Sequence, residues 1–228
     1  EFKEHATEKP AFVRLYVSVR DEIVHSDLNV DLRNTAPFLT PKELKEMLDN
    51  NEDIILLDAR NNYESKIGKF RNSVTLDIKN FRDFKDEIDK IRDLKDKKIV
   101  TYCTGGIRCE KASAFLKENG FENVKQLKGG ILNYAKEFPD TYWEGKCFVF
   151  DNRIAVDLNN KNNGILAKCA LCGEESRHYT NCHNLDCDKL FSCCDKCLSF
   201  YNASCSEECS ASQKRRKKNL FLNPIIAD

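Results

Sequence analysis

Short apolar runs alternate with helix signals along much of this chain, and that alternation restricts the fold more than any other feature. Residues 54–57 are continuously apolar and end in Asp58, as expected for a buried parallel strand. Residues 98–102 and 124–127 are two further strand segments. Strands that alternate with helices form parallel sheets covered on both faces. We therefore expect an α/β fold whose ligands bind at the carboxyl ends of the strands.

Helix signals occupy the spaces between these strands. Thr40-Pro41-Lys42-Glu43 combines a capping threonine, a proline at the first helical position and a glutamate that closes a capping box, so a helix should run to about Leu48. Further helices are predicted at about 80–92 and at about 109–118, where Asn119 and Gly120 follow. A short helix should begin at residues 129–131.

Four regions are predicted from changes in pattern along the chain. Residues 12–20 and 22–24 alternate apolar with polar side chains and predict one or two strands. The polar stretch 159–164 predicts a break before the last third of the chain. The regions are 1–36, the end of a truncated amino-terminal domain or connecting strands; 37–145, the α/β domain; 146–213, a connecting segment and cysteine-rich module; and 214–228, a basic tail.

Charge and hydropathy exclude some classes of protein and leave others open. Lys and Arg total 37, as do Asp and Glu, so the net charge of zero draws the chain neither to nucleic acid nor to membranes. No run approaches the ~18 apolar residues of a membrane span, and the first residues do not form a signal peptide. We expect a cytoplasmic protein without a membrane partner. The oligomeric state cannot be predicted.

Nine of the twelve cysteines fall between Cys169 and Cys209. Two Cys-x-x-Cys knuckles and two looser pairs in this segment predict two interleaved structural zinc sites, with Cys193 left over. The predicted ligands are Cys169, Cys172, Cys182, Cys187, Cys194, Cys197, Cys205 and Cys209. Disulfides and an iron–sulfur cluster are the alternatives.

Two histidines and a basic run accompany the cysteines. His178 and His183 are able to replace a thiolate ligand, but as single histidines we expect them to be exposed. Residues 214–218 carry five positive charges in a row. The run predicts either contacts with an RNA backbone or a disordered, solvated tail.

Cys103 follows a predicted strand directly and precedes a turn that contains two glycines. A helix start just beyond Arg108 would aim several backbone N–H groups at the sulfur. Those groups and Arg108 should lower the pKa of Cys103 and yield a nucleophilic thiolate beside an anion cradle. A buried structural cysteine is one alternative. A cysteine phosphatase is another, but its loop needs five residues between Cys and Arg where this chain has four, and usually His where this chain has Tyr102.

The segment from Tyr102 to Ala112 resembles the signature of the oxygen-dependent tRNA uridine hydroxylases, a family of rhodanese-domain proteins. Other blocks that are similar to that family are 57–64, 67–70, 126–127, 130–132 and 143–151, with Arg14, Val17, Arg20 and 22–24 in its linking segment. The resemblance implies a rhodanese-like parallel sheet with flanking helices, followed here by the small cysteine-rich module. Most of that family's amino-terminal domain is absent, and Tyr16 replaces an expected basic residue.

The resemblance also implies an activity: hydroxylation of the wobble uridine of tRNA to 5-hydroxyuridine, with molecular oxygen as co-substrate and the loop cysteine, Cys103, essential. tRNA is the implied partner, and no organic cofactor is evident. The candidate substrate-binding residues are Thr104, Gly105, Gly106, Ile107, Arg108, Asp58 and Arg60. Asp58 and Arg60 resemble a polar pair of the rhodanese fold that either binds substrate or braces the loop.

Two other functions and the role of Cys109 stay open. A plain sulfurtransferase would carry a persulfide on Cys103. A tRNA-binding fragment would not be catalytic by itself. Cys109 is either a second redox thiol next to Cys103 or an ordinary core cysteine at a helix start.

Overall fold

The computed structural model describes residues 11–12, 17–151, 153–158, 167–176 and 179–216. The strands are β1 (Phe38–Leu39), β2 (Ile54–Asp58), β3 (Gly68–Phe70), β4 (Val74–Thr75), β5 (Lys98–Tyr102), β6 (Val124–Leu127), β7 (Trp143–Gly145), β8 (Cys147–Phe148), β9 (Ala155–Val156), β10 (Ala167–Lys168), β11 (Glu175–Ser176), β12 (Tyr179–Asn181) and β13 (Leu190–Ser192). The α-helices are α1 (Pro41–Asp49), α2 (Asn62–Ile67), α3 (Phe84–Glu87), α4 (Ile107–Glu118), α5 (Gly130–Glu137), α6 (Asp195–Phe200) and α7 (Glu207–Ala211). Short 3-10 segments occupy Leu32–Asn34, Phe81–Asp83 and Ile88–Leu94.

The described residues fall into two compact units, the first built mainly from Ser18–Phe148. Its centre is a five-stranded parallel sheet with the order β1-β6-β5-β2-β4. β2 and β5 pair along their whole length, which places Asp58 opposite Tyr102. The parallel sheet predicted from the sequence is confirmed. Because the carboxyl ends of β2 and β5 lie side by side, Cys103 emerges at the edge where α/β proteins bind ligands.

Apolar side chains from the sheet and from α4 form the core of this unit. Leu57, Ile99 and Leu116 are almost completely buried in one cluster, which also contains Cys103 and Cys109. α1 has the predicted capping box, in which the Thr40 hydroxyl accepts from the Glu43 N–H and Glu43 accepts from the Thr40 N–H. Among the described residues, no helix is long and apolar enough to cross a membrane.

Several boundaries differ from the sequence-based prediction. The helix predicted at 80–92 is interrupted, with only α3 in α-helical form and Ile91 at φ −119° within the following 3-10 segment. The strand predicted at 22–24 is wrong, since these residues lie before the first regular element. Part of the strand predicted at 12–20 lies outside the described residues, and residues 17–20 are irregular. α4 begins at Ile107, two residues earlier than predicted.

The second unit includes Val149–Val156 and the cysteine-rich chain after Gly164. β10 pairs with β11, and β12 pairs with β13, each in antiparallel fashion. Its interior consists largely of cysteines around Phe191, with Leu198 and Tyr201 packed against them. So small an apolar interior supplies little free energy of folding by itself.

Candidate active site

The backbone after β5 turns around the sulfur of Cys103. Gly106 adopts a positive φ of +88°, which ends the turn and starts α4. The Gly106 N–H donates to Cys103 Sγ at 3.1 Å, and the backbone N–H groups of Arg108 and Cys109 help to lower the pKa of the same thiol. Cys103 exposes only 2% of its surface. The loop is therefore a cradle of N–H groups with a sulfur at its centre, which suits an anionic sulfur.

The backbone carbonyl groups of Cys103 and Thr104 are bound by N–H groups at the start of α5, on the opposite side from Cys103 Sγ. The Ile131 N–H donates to the Cys103 carbonyl at 3.0 Å, and the Leu132 N–H donates to the Thr104 carbonyl at 3.1 Å. Gly130 lies so close that a Cβ there would come within 2.3 Å of the Cys103 carbonyl oxygen. A side chain at residue 130 would push α5 away from the loop. The predicted helix opened by residues 129–131 thus holds the cradle in shape.

The pKa of Cys103 is lowered to about 6. The main cause is a hydrogen bond from the Cys109 thiol, and burial, which opposes ionisation, is outweighed with further help from the charge of Arg108 and the loop N–H groups. Burial raises the pKa of Cys109 well above its ordinary value, and its contact with Cys103 raises it further. The pair at neutral pH is therefore one thiolate and one thiol that donates to it.

Arg108 does not face an empty pocket, because Glu64 binds it. Its Nη1 donates to Glu64 Oε2 at 2.6 Å and its Nη2 donates to Oε1 at 2.8 Å, with both side chains buried. Thr104 Oγ1 lies 3.4 Å from the same carboxylate. Glu64 also accepts from the Asn61 N–H and so caps α2. Glu64 was missed in the sequence analysis, although Asn61-Asn62-Tyr63-Glu64 has the spacing of a capping box.

Asp58 and Arg60 form a second buried ion pair, below the neighbouring strand end. Arg60 Nε donates to Asp58 Oδ1 at 2.9 Å and Nη2 donates to Oδ2 at 2.6 Å. The Tyr102 hydroxyl donates to the same carboxylate at 2.8 Å. Arg60 also lies against the rings of Tyr102 and Trp143, at 5.7 and 5.3 Å from their centroids. Since both charged side chains are fully buried, this geometry supports the bracing role of the two considered.

Two of the predicted substrate-binding residues lie on the outer side of the loop. A Cβ built on Gly105 would meet no atom within 4 Å, so open space adjoins the backbone there. Ile107 is 38% exposed. The loop is therefore open to solvent at Gly105 and Ile107, while Thr104 and Arg108 are buried on its inner side.

The cysteines of the second unit assemble into two groups of four, each with sulfur atoms that all lie within 4.8 Å of one another. The groups are Cys169, Cys172, Cys194 and Cys197, and Cys182, Cys187, Cys205 and Cys209. Each group combines two cysteines that are close in the sequence with two more that lie roughly twenty residues later. This is the interleaved arrangement predicted from the sequence. Cys193 belongs to neither group. Each group is able to hold one metal ion.

The structure describes one of the two histidines and the first part of the basic run. His183 is half-buried and binds Ala203 and Arg216 through its backbone, and His178 lies outside the described residues. Lys214 pairs with Asp186 at 3.2 Å, and Arg216 pairs with Asp188. The described part of the run, up to Arg216, is therefore folded onto the module, and the expectation of a disordered tail is wrong for it.

Comparison with known proteins identifies the family. Residues 40–137 match the model described as a rhodanese-like domain, and residues 144–210 match the one described as rhodanase C-terminal. The solution structure of a rhodanese-like domain from Anabaena sp. is 24% identical, with a TM-score of 0.41, over 49% of this chain and 80% of that one. A tRNA uridine(34) hydroxylase from Cytophaga hutchinsonii is 48% identical over 218 residues, covering 95% of this chain and 70% of that protein. The chain belongs to the tRNA uridine(34) hydroxylase family.

A second relative supports the assignment. The tRNA uridine(34) hydroxylase from Chlamydia trachomatis is 41% identical over 221 residues, covering 95% of this chain and 67% of that protein. The resemblance noted in the sequence is confirmed, and so is the rhodanese-like fold of residues 40–137. In this member of the tRNA uridine(34) hydroxylase family, Cys103 is the loop residue whose side chain has a pKa lowered to about 6, so its thiolate is the nucleophile that the loop offers at neutral pH.

Replacing Cys109 tests the origin of that activation. Cys109→Ala should raise the pKa of Cys103 by about one to two units, because a hydrogen bond to a charged group is worth about 1.5–3 kcal/mol. Only the thiolate reacts with iodoacetamide, so the rate of Cys103 alkylation against pH, followed by peptide mass spectrometry, gives the pKa. The midpoint should move up from about 6. Cys109→Ser keeps a donor and should leave it nearly unchanged. An unchanged midpoint in Cys109→Ala would show that Cys109 has no such role.

Proposed function

We propose that the protein hydroxylates uridine 34 of tRNA to 5-hydroxyuridine, with molecular oxygen as co-substrate and Cys103 as the essential nucleophile. The observation that supports this most strongly is an activated, cradled thiolate at Cys103 in a chain that is 48% identical to a protein named tRNA uridine(34) hydroxylase. Gly105 and Ile107 border the approach to the sulfur. In this proposal they contact the nucleoside, and Thr104, Gly106 and Arg108 keep the loop in shape.

The residues of the loop have separate tasks in this reaction. The N–H groups of Gly106, Arg108 and Cys109 stabilise negative charge on sulfur without any rearrangement, because α4 and α5 fix their directions. The Glu64–Arg108 pair ties α2 to the first turn of α4. The Asp58–Arg60 pair and Tyr102 tie the ends of β2 and β5 together. Preorganisation of this kind lowers the free energy of a charged transition state.

A sulfurtransferase that carries a persulfide on Cys103 is the second candidate, because residues 40–137 match the rhodanese-like domain model. The two activities differ in their product. A hydroxylase adds one oxygen atom to uridine 34 and needs air, whereas a sulfurtransferase turns over a donor such as thiosulfate without oxygen. Restoring the protein to cells that lack the modification, with and without air, should yield hydroxyuridine only in air. Thiosulfate turnover with unchanged tRNA would favour the sulfurtransferase.

The substrate and the cysteines also favour a location. tRNA is a substrate found in the cytoplasm, and all twelve cysteines, every one within the described residues, are unpaired. Unpaired thiols in such number are typical of a reducing compartment. We therefore place the protein in the cytoplasm.

Zinc is the metal that we propose for the two four-cysteine groups. Zn–S bonds of about 2.3 Å in a tetrahedron place sulfur atoms about 3.8 Å apart. The Sγ atoms of Cys172 and Cys194 lie 3.6 Å apart, as do those of Cys187 and Cys205. The Sγ atoms of Cys205 and Cys209 lie 3.9 Å apart. Four thiolates with no open position suit a structural role. Zinc binding would then supply the folding free energy that the small interior of the second unit lacks.

Purified protein should contain about two zinc ions per chain, and removing them with a chelator should unfold the second unit. Elemental analysis gives the metal content, and proteolysis before and after chelation locates the unfolding. Cys172→Ser should lose about one ion, because a ligand is missing. Cys193→Ala should keep both, because Cys193 lies outside both groups. Protein without metal whose module cysteines form disulfides would contradict this assignment.

A further inference from the structure

The side chains of Cys103 and Cys109 are buried in the same cluster of the first unit. Cys103 follows the last residue of β5 and Cys109 lies in the first turn of α4, and both belong to the apolar cluster with Ile99 and Ala112. In this cluster the two side chains interact closely enough for Cys109 to be the main cause of the lowered pKa of Cys103. Cys109 is completely buried, so no bulky substrate reaches it in this conformation. A third buried thiol of the unit, Cys147, instead lies 3.5 Å from the carbonyl of Phe148.

The proposed reaction needs more electrons than uridine provides. Reduction of one oxygen molecule to a hydroxyl group and a water takes four electrons. Conversion of the C5–H bond of uridine into C5–OH supplies two of them. A dithiol that becomes a disulfide supplies two electrons and two protons, which is the amount still required. Two thiols that share one buried cluster of the chain are therefore a sufficient donor for one turnover.

We propose that Cys103 and Cys109 are this donor, and that they form a disulfide with each hydroxylation. The inference rests on the proposed function and names the reductant of the same site. Uridine, one oxygen molecule and two thiols become 5-hydroxyuridine, one water and one disulfide. The O–O bond breaks, one oxygen atom joins C5, and the other leaves as water with the proton of the Cys109 thiol and one proton from solvent, which replaces the proton that Cys103 lost on ionisation. An external thiol then reduces the disulfide by exchange and completes the cycle.

The state of the two sulfurs suits these steps. Formation of a disulfide requires one sulfur that is attacked or oxidised first and a second that resolves it. The lowered pKa of Cys103 makes it the first sulfur to be oxidised, and the raised pKa of Cys109 keeps a proton in reserve. Burial in an apolar cluster admits small apolar oxygen. The external thiol would attack the disulfide at Cys103, since open space adjoins the loop at Gly105.

A single-turnover experiment tests the donor. Fully reduced protein, freed of small thiols, is mixed in air with tRNA from cells that lack the modification. We expect on the order of one hydroxyuridine per chain, because one dithiol carries two electrons. Differential alkylation and peptide mass spectrometry should find an equal amount of Cys103–Cys109 disulfide. Excess dithiothreitol should permit many turnovers.

Two variants sharpen the result. Cys109→Ser keeps the hydrogen bond to Cys103 but cannot form the disulfide, so its yield without small thiols should fall by more than about tenfold while the alkylation pH profile stays the same. Cys147→Ala removes a buried thiol that instead donates to the Phe148 carbonyl, and it should match the unchanged protein in this assay.

The outcomes separate the donor from the activity. Many turnovers without any small thiol, or an undiminished yield from Cys109→Ser, would overturn the dithiol donor and leave the hydroxylase standing. No hydroxyuridine even with dithiothreitol would overturn the proposed function, and the donor with it. Hydroxyuridine and disulfide in equal amounts, both absent in Cys109→Ser, would establish the donor.

Discussion

Cys103→Ser is expected to abolish formation of 5-hydroxyuridine while leaving the fold intact. A serine hydroxyl stays protonated at neutral pH, whereas the pKa of Cys103 is lowered to about 6. The loss of the nucleophile should reduce activity by about a thousandfold or more. Serine is nearly the same size, so α4 and α5 keep their contacts. Mass spectrometry of uridine 34 gives the activity, and a thermal melt gives the stability.

Cys147→Ala is the matched control for this substitution. Cys147 is as deeply buried as Cys103, but burial raises the pKa of Cys147 to about 12 and keeps its thiol protonated. Its replacement should therefore lower stability and leave hydroxylation close to normal. Activity retained by Cys103→Ser, or lost equally in both variants, would show that the loop sulfur is not the nucleophile.

Glu64→Gln should destabilise the first unit by about 3–5 kcal/mol, because it leaves the buried guanidinium of Arg108 without its counter-charge. Glutamine has the shape of glutamate and keeps one hydrogen bond of the capping box. The decrease in unfolding free energy should therefore come mainly from the lost negative charge of Glu64. Activity should fall as well, since the first turn of α4 carries the N–H groups that stabilise the sulfur. Denaturant unfolding and hydroxylation assays provide the two measurements.

Glu43→Gln provides the comparison. Glu43 closes the capping box of α1 as Glu64 closes that of α2, but Glu43 is exposed and binds no buried arginine. Its replacement should cost less than about 1 kcal/mol. The double variant Glu64→Gln with Arg108→Met should be milder than Glu64→Gln alone, because no charge is then buried unpaired. Equal effects at residues 64 and 43 would argue against the buried pair as a stabilising element.

The Cys103 loop was predictable because its chemistry is local. β5, Gly106 and the start of α4 are consecutive, and a strand, a glycine turn and a helix start together fix the direction of the N–H groups. The cysteine groups were predictable in part for the same reason, since Cys-x-x-Cys spacing defines half of a site. The number of pairs indicates two sites, and the predicted interleaving joins pairs that lie roughly twenty residues apart.

The partners of the loop were not predictable in the same way. Glu64 meets Arg108 across 44 residues of chain, and its capping-box spacing revealed the start of α2 but not the ion pair. The interruption near Ile91 has no proline or glycine to announce it. The strand predicted at 22–24 failed because alternation is not sufficient when no neighbouring strand pairs with it.

If the protein places an atom of molecular oxygen on uridine 34, an isotope experiment will show the origin of that atom. Reduced protein, tRNA that lacks the modification and a small thiol are incubated under ¹⁸O₂ in ordinary water, and again under ordinary oxygen in ¹⁸O-labelled water. We expect hydroxyuridine to carry the heavy atom in the first incubation and not in the second, and Cys103→Ser to yield no hydroxyuridine in either. Label that enters from water, or a uridine 34 that gains sulfur or nothing while thiosulfate is consumed, would contradict it.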